Sequence, residues 1–271
     1  MQMLNLSSSN GVTLSSTTWP AFLSAALLVA VRISGIFVFA PVFSSSAIPV
    51  RIKAGFVVVI TVLLAPVAAT LPGARPELGL PSVLGELGLA LVFGLSLSLL
   101  NEIALFAGQL VGIQFSFSLV NLLDPNSQVQ TQLFGQMFGL LNTTVLVAAG
   151  LHRTMLASLM RTFAFVPVGT AVFAPQFGMT LVHAAGGVFL ASLQLAAPVM
   201  ASTMLVEVAI ASMARISPQL PVLPLTVPAK TAVGYVVLIG SLALWPAFFE
   251  ARFSGLLEMA DTLLRQCGRQ G

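Results

Sequence analysis

Four ionisable residues lie inside long apolar segments of the chain: Arg32, Glu86, Glu102 and Glu207. A charged side chain at the centre of a membrane-spanning helix costs about 2.5–3.5 kcal/mol on insertion scales, so each needs a use or a partner. One use would be a pathway for ions or protons. Alternatively, these groups sit at helix ends or pair with neighbouring subunits. Glu86 and Glu102 are separated by roughly 160° around an ideal helix, so they cannot form one carboxylate pair on a straight helix.

The motifs of common enzyme classes are missing from the sequence. It has two histidines, His152 and His183, and two aspartates, Asp124 and Asp261. We find no HExxH, GxSxG, P-loop or GxGxxG pattern. Cys267 is the only cysteine, so neither an intrachain disulfide nor a cysteine-based metal site is expected. We therefore expect no catalytic residue, no cofactor and no metal, and the protein is not predicted to be an enzyme.

The composition excludes a water-soluble domain. Of the 271 residues, 57% are hydrophobic and 7% are charged, and the mean hydropathy is +1.01. A soluble domain carries about 25% charged residues, which this chain cannot supply for a polar surface. The net charge of +3 is a small excess of 11 basic over 8 acidic residues without a basic cluster. Nucleic acid is therefore not an expected partner, whereas membrane lipid is.

Charged and polar residues divide the chain into about six long apolar helices, so we predict an all-α integral membrane protein. The segments are 20–43, 54–71, 83–120, 133–150, 181–213 and 228–249. The third would span well over 50 Å as a straight helix, against a hydrocarbon core of about 30 Å, so it must bend, break or leave the membrane. Pro198 is expected to kink the fifth. A loop or re-entrant piece is expected between the fourth and the fifth.

The domain organisation follows from the same pattern. Residues 1–19 form a polar N-terminal tail, residues 20–250 a single helical membrane domain, and residues 251–271 an amphipathic C-terminal tail. We expect one domain because no long polar linker divides the apolar segments.

Small residues recur at helical spacing in two segments. Ala104, Gly108 and Gly112 share one helical ridge, and Gly135 and Gly139 repeat the pattern. Small residues four apart let helix backbones approach closely in a membrane protein. We therefore predict tight helix packing at this ridge, either within the chain or against another subunit.

Phenylalanine alternates with serine where the overlong third segment should break, in the run Gln114, Phe115, Ser116, Phe117 and Ser118. Alternation fits an extended or looped segment better than a helix face. Bulky aromatic side chains on irregular backbone narrow a pore, because hydrophobic constrictions close by dewetting. The alternative is an ordinary kink buried in the core.

Several stretches together resemble one family. They are residues 31–44 (VRISGIFVFAPVFS), 48–55 (IPVRIKAG), 107–112 (AGQLVG) leading to the Asp-Pro pair, 214–220 (ARISPQL) and 228–230 (PAK). The motif residues within them are Arg32, Pro41, Pro49, Asp124, Pro125, Arg215, Pro218, Gln219 and Lys230. The order and spacing resemble the flagellar biosynthetic protein FliR family, an export-gate subunit of type III secretion. Pro221 departs from the pattern, since the family usually has asparagine there.

The resemblance implies an export-gate subunit whose kinked helical hairpins assemble with several copies of two small sibling membrane proteins and with other export-apparatus proteins. Residues 20–180 would resemble one sibling, and the helical hairpin 181–250 the other. The assembly would lie in the bacterial inner membrane, at the flagellar basal body, and would form part of the channel for unfolded flagellar proteins. Residues 114–118 would plug it, with Phe115 and Phe117 as occluding side chains.

Two alternatives to the flagellar gate remain open. One is the equivalent subunit of a virulence-type injectisome. The other is a stand-alone secondary transporter for small solutes, with Glu102, Glu207 and Arg32 as coupling charges and the proline-broken segments as binding elements.

Overall fold

A computed structural model describes residues 19–40, 43–44, 48–115, 129–172, 177–217, 219 and 221–268, and the architecture below is that of these residues. They form α-helices joined by short connections. In chain order these are α1 Trp19–Phe39, α2 Val50–Ala69, α3 Leu80–Gln114, α4 Val129–Ala148, α5 Leu151–Phe165, α6 Phe177–Ile216, α7 Val222–Ser241 and α8 Trp245–Gly268, with a 3-10 turn at Leu242–Leu244 before α8.

Helix α3 lies at the centre of the described fold. It contacts α1, α4, α6 and α8, and its buried side chains include Phe93, Leu97 and Leu100. The remaining helices pair outside it, α1 with α2, α6 with α7, and α5 with α8. The apolar core is therefore built around one helix that touches the N-terminal, middle and C-terminal parts of the chain.

Five of the described helical stretches are long and apolar enough to cross a membrane: Phe22–Phe39, Val50–Ala69, Leu80–Gln114, Val182–Ile216 and Pro224–Arg265. A sixth is possible if α4 and α5, which meet at a bend of 73°, count together as one broken span. The prediction of an all-α integral membrane protein with about six long apolar helices is therefore confirmed.

The two longest helices exceed the thickness of a bilayer core. Helix α3 has 35 residues and α6 has 40, or about 50 and 60 Å at 1.5 Å per residue. Helix α3 ends at Gln114, within the stretch where the sequence predicts a break. Pro198 lies inside α6, where a kink was expected, and the helix continues through it.

The sequence analysis did not predict helix α5. It carries His152, Arg153 and Arg161, so hydropathy shows no continuous apolar run there. Its signal is instead an amphipathic pattern, with Met155, Leu159 and other residues of one face buried. The left-handed conformation of Gly150 (φ 71°) makes the tight turn from α4 into α5. At the other end of the chain, the predicted amphipathic tail continues α8 as helix to Gly268.

Candidate functional site

Arg32 of α1 and Glu86 of α3 form an ion pair in the interior of the protein. Their side chains are 1% and 0% exposed. Arg32 Nη2 donates to Glu86 Oε1 at 2.9 Å, while Nε donates to Oε2. This two-point contact between a guanidinium and a carboxylate fixes both distance and orientation. It therefore holds two helices from distant parts of the sequence in one register.

The remaining polar atoms of the pair are also engaged. Arg32 Nη1 donates to the Val166 carbonyl at 2.9 Å, and the backbone N–H of Gly169 donates to Glu86 Oε1 at 2.9 Å. The guanidinium carbon also lies 4.4 Å from the ring centre of Phe163, close enough for a cation–π contact. The cluster therefore ties α1, α3, α5 and the connection after α5 together.

This geometry favours a structural role for Arg32 and Glu86 over an ion pathway. A charge that carries ions needs an open face, whereas these two are saturated by protein groups. The sequence places both residues in apolar segments, but we did not predict that they pair within one chain. The sequence did contain a signal for this pairing. A single buried charge costs free energy, and one buried cation and one buried anion reduce that cost for each other in a low-dielectric interior.

Glu102 and Glu207, the other two ionisable residues in the apolar segments, have different environments. Glu102 is exposed on α3, and no ion pair of this residue is found among the described part of the chain. Glu207 of α6 accepts a hydrogen bond from the Lys230 ammonium of α7. Lys230 is 6% exposed at its side chain and Glu207 is 48% exposed. This contact links the two arms of the C-terminal hairpin, and it gives the motif residue Lys230 a partner.

The small residues of the ridge meet at the contact between α3 and α4. A Cβ on Gly108 would overlap the backbone of Phe134 and Gly135, so the two helices touch through main-chain atoms. A Cβ on Gly135 would lie 3.2 Å from the Leu105 carbonyl oxygen, and one on Gly139 3.3 Å from Leu105 Cδ2. Ala104 and Gly112 are buried on the same helix α3. Gly108, Gly135 and Gly139 therefore lie at one close helix crossing within the chain.

Phe115 lies directly after α3 and is buried, with 2% exposure. Its ring centre is 4.9 Å from that of Tyr235, nearly parallel to it, and 5.2 Å from that of Phe134. A Cβ on Gly234 would overlap the Phe115 ring. Glycine at this position of α7 thus provides the space that the ring occupies between α4 and α7. We did not predict Gly234 and Tyr235 as parts of the site.

Gln114, the last residue of α3, is half-buried, and its Oε1 accepts a hydrogen bond from Thr203 Oγ1 of α6 at 3.5 Å. The end of α3 therefore contacts α4, α6 and α7 at once. Ser116, Phe117 and Ser118 lie outside the described residues.

The remaining motif residues are divided between described and undescribed positions. Pro49 precedes the first turn of α2, Arg215 lies in the last turn of α6, and Gln219 is exposed between α6 and α7. Pro41, Asp124, Pro125 and Pro218 lie outside the described residues. The structure therefore separates the described motif residues into distinct places, one of which is the buried pair at Arg32.

The C-terminal helix α8 is held by contacts that the sequence did not suggest. The Ser158 hydroxyl of α5 donates to Asp261 Oδ1 at 2.7 Å. Arg265 lies over the Phe165 ring, with its guanidinium carbon 4.1 Å from the ring centre. Trp245 and Phe138 of α4 are 4.5 Å apart between ring centres. The segment interpreted as a tail is thus an integral part of the helical assembly.

No group of three or more His, Cys, Asp or Glu side chains is arranged for metal binding among the described residues. The contacts described above for these residues, among them two ion pairs, a glycine contact and an aromatic contact, are made where helices meet. This arrangement can position helices and hold the end of α3.

Comparison with known proteins shows which family this sequence matches. The family described as bacterial export proteins, family 1, matches residues 23–256. "Flagellar biosynthetic protein FliR" of Bacillus subtilis (strain 168) is 28% identical over 256 residues, covering 92% of this chain and 96% of that protein. The protein of the same name from Pectobacterium carotovorum is 28% identical over 239 residues (87% and 91%). That from Escherichia coli (strain K12) is 22% identical over 255 residues (93% and 97%).

Proposed function

Because this chain belongs to the family of bacterial export proteins, family 1, we propose that it is a structural and gating subunit of the flagellar type III protein export gate. The observation that carries this proposal is the extent of the match, which runs from α1 into α8 and so includes the Arg32–Glu86 pair, the glycine contact of α3 with α4 and the Phe115 contacts. The relatives' shared name supports the flagellar rather than the injectisome assignment. The gate lies in the bacterial inner membrane at the basal body.

Apolar surface outside the core supports assembly with sibling subunits. Large apolar side chains are exposed on both arms of the C-terminal hairpin, including Leu205 and Ile216 on α6 and Val236 on α7. Helix α2 is also mostly exposed, with 17% of its span buried. Apolar patches of this extent mark surfaces covered by lipid or protein. In the proposed assembly, copies of two small membrane proteins cover part of them.

The proposed domain relationship divides the membrane domain near residue 180. Residues 20–180 form the unit that resembles one sibling, and the helical hairpin 181–250, which contains most of α6 and all of α7, forms the unit that resembles the other. In support of this division, α7 contacts mainly α6, and α6 contacts the rest of the chain mainly through α3.

The proposed plug is the segment 114–118. Phe115 and Phe117 are the proposed occluding side chains, and the ring of Phe115 also holds the start of this segment, because it lies between Phe134 and Tyr235. Unfolded flagellar proteins would pass when this segment moves aside. No step in this function requires catalysis, and the energy for transport would come from partner proteins.

Ion leakage through the assembled gate tests the plug. We expect glycine at both Phe115 and Phe117 to raise small-ion conductance across the membrane, because the aromatic constriction is lost. Phe56→Gly serves as a control, since Phe56 is exposed on α2, far from the end of α3 in sequence. Unchanged conductance of the doubly substituted, fully assembled complex would rule out the plug.

Purification in mild detergent, followed by mass spectrometry of the bound subunits, tests membership of the gate. We expect two small sibling membrane proteins in excess over this chain. Isolation of a stable, transport-active single chain would instead support the secondary transporter. The structure argues against Arg32 as a coupling charge for such a transporter, because its guanidinium is hydrogen-bonded to Glu86 and to the Val166 carbonyl.

A further inference from the structure

A cavity of about 470 Å³ lies where the connection after α2, the start of α3 and the connection after α5 meet. Its wall includes Gly73, Arg75, Ser82, Gly169, Thr170 and Val172. Its volume is within the range of pockets that hold small organic groups. None of the contacts proposed for the gate uses this cavity.

The walls of the cavity are fixed by backbone contacts between the two connections. The Arg75 N–H donates to the Val168 carbonyl at 2.9 Å. Gly169 has a φ of 80°, and a Cβ there would overlap the Arg75 carbonyl oxygen. The Gly169 N–H also donates to buried Glu86. The cavity is therefore attached to the Arg32–Glu86 pair and is preformed.

Among the described residues that line the cavity, Arg75 is the one that carries a charge. Arg75 is exposed, and no carboxylate pairs with it within the ranges that the structure describes. Glu86, beneath the wall, is neutralised by Arg32. Glu77 is exposed two residues beyond Arg75 and does not line the cavity. The Ser82 hydroxyl adds a hydrogen-bond donor, and the positive end of the α3 dipole faces the same side.

The position of the cavity along the chain puts it at a membrane boundary. It follows the span Val50–Ala69 and coincides with the start of the span Leu80–Gln114. At such boundaries, basic pockets between helices bind the head groups of anionic lipids.

A row of exposed leucines runs from the cavity along α3. Leu80, Leu84, Leu87 and Leu91 are all solvent-accessible and recur at helical spacing on one face. From Leu80 to Leu91 the helix rises by about 16 Å, which is comparable with the length of an acyl chain. A cavity lined by one arginine and two hydroxyl-bearing residues, at one end of an apolar row, matches the shape and chemistry of a phospholipid.

We propose that this cavity binds the phosphodiester head group of an anionic phospholipid, with Arg75 as its counter-ion and Ser82 as a hydrogen-bond donor. The acyl chains lie along the leucine row of α3. The site requires a membrane location but does not depend on the export function. Motility and ion conductance, which test the gate, can therefore succeed or fail independently of it.

Lipid retention by the purified complex in nanodiscs tests the site. The nanodiscs contain equal phosphatidylglycerol and phosphatidylcholine, and bound lipid is measured by native mass spectrometry. We expect the natural sequence to retain phosphatidylglycerol preferentially. Arg75→Gln should lower that preference about fivefold, the factor expected for one basic side chain at an anionic membrane surface.

Two further variants separate this site from general surface charge. Arg153→Gln removes an exposed arginine outside the cavity and should leave retention unchanged. Val172→Trp fills the cavity mouth, keeps Arg75, and should also lower retention. Equal loss in Arg153→Gln, or full retention in Val172→Trp, would overturn the proposal. Binding of inorganic phosphate that depends on Arg75, together with unchanged retention of phosphatidylglycerol in Arg75→Gln, would instead identify free phosphate as the ligand.

Discussion

Arg32 Nη2 lies 2.9 Å from Glu86 Oε1, which joins α1 to α3 across 54 residues of sequence in the fully buried interior. A charge in this environment is stabilised by its partner and by the hydrogen bonds that complete its coordination. Removing either partner leaves an uncompensated charge where water cannot reach it. Replacing one partner should therefore cost more stability than replacing both partners with apolar residues.

Arg32→Ala and Glu86→Ala should each destabilise the fold by about 3–5 kcal/mol, because each leaves one buried charge unpaired. Thermal unfolding of the purified complex measures this loss. The double variant Arg32→Met/Glu86→Leu should lose less than the sum of the single variants. Glu102→Gln is the control, since Glu102 is exposed and should change stability little. Additive effects in the double variant would contradict direct coupling.

Gly108→Ala should destabilise the α3–α4 contact by about 1–3 kcal/mol, because the new methyl group overlaps the Phe134 backbone and forces the helices apart. Gly186→Ala in α6 is the matched control. Its Cβ would meet nothing within 4 Å, and alanine is the better helix former by about 1 kcal/mol. Unfolding midpoints of the two variants should therefore move in opposite directions. A shift of Gly108→Ala towards greater stability would exclude the close crossing.

The ion pair between Lys230 and Glu207 should respond unequally to loss of its two members. Glu207→Ala leaves a buried ammonium without its carboxylate and should cost about 1–3 kcal/mol. Lys230→Met leaves a half-exposed carboxylate that water can solvate, so less than about 1 kcal/mol is expected. Denaturant titration of both variants measures the asymmetry. A larger loss for Lys230→Met would show that burial of the ammonium is not the controlling factor.

Gly234→Ala should displace the Phe115 ring from the space between α4 and α7, because the added methyl group overlaps it. We expect higher ion leakage through the assembled gate and a loss of about 1–3 kcal/mol in stability. Gly240→Ala, on the same helix with nothing within 4 Å of its Cβ, is the control. If the leakage equals that of the control, the contact between Phe115 and α7 does not contribute to closing the gate.

Cys267 should react slowly with maleimide in the folded protein. Burial raises the pKa of its thiol above the usual value for cysteine and hides its sulfur, which is in a residue only 1% exposed. Both effects lower the rate, because the thiolate is the nucleophile. Labelling should accelerate when the chain is unfolded in denaturant. Rapid labelling of the native protein at neutral pH would show that α8 is detached near its end.

The sequence predicted the membrane class and the family because both depend on features spread along the chain. Low charge and six apolar segments indicate the membrane class, and the order of short motifs indicates the family. The match over residues 23–256 confirms the family. Helix α5 escaped detection because its arginines interrupt the hydropathy signal on which the segment count depended.

The contacts of the site were less predictable because they join residues that are far apart in sequence. The partner of Arg32 depends on how α1 lies against α3, and the ring of Phe115 depends on a gap at Gly234. The glycine spacing indicated a close crossing, but it did not say which helix would be the neighbour. Helix packing, rather than local sequence, decides each of these partners.

The hydrogen bond from Arg32 to the Val166 carbonyl also has a consequence for biosynthesis. Its donor and acceptor are 134 residues apart, and ribosomes make the chain from the N-terminus. The first helix therefore reaches the insertion machinery carrying a guanidinium whose carboxylate and carbonyl partners have not yet been made. The set of groups that surrounds Arg32 is complete only when translation has supplied both later segments.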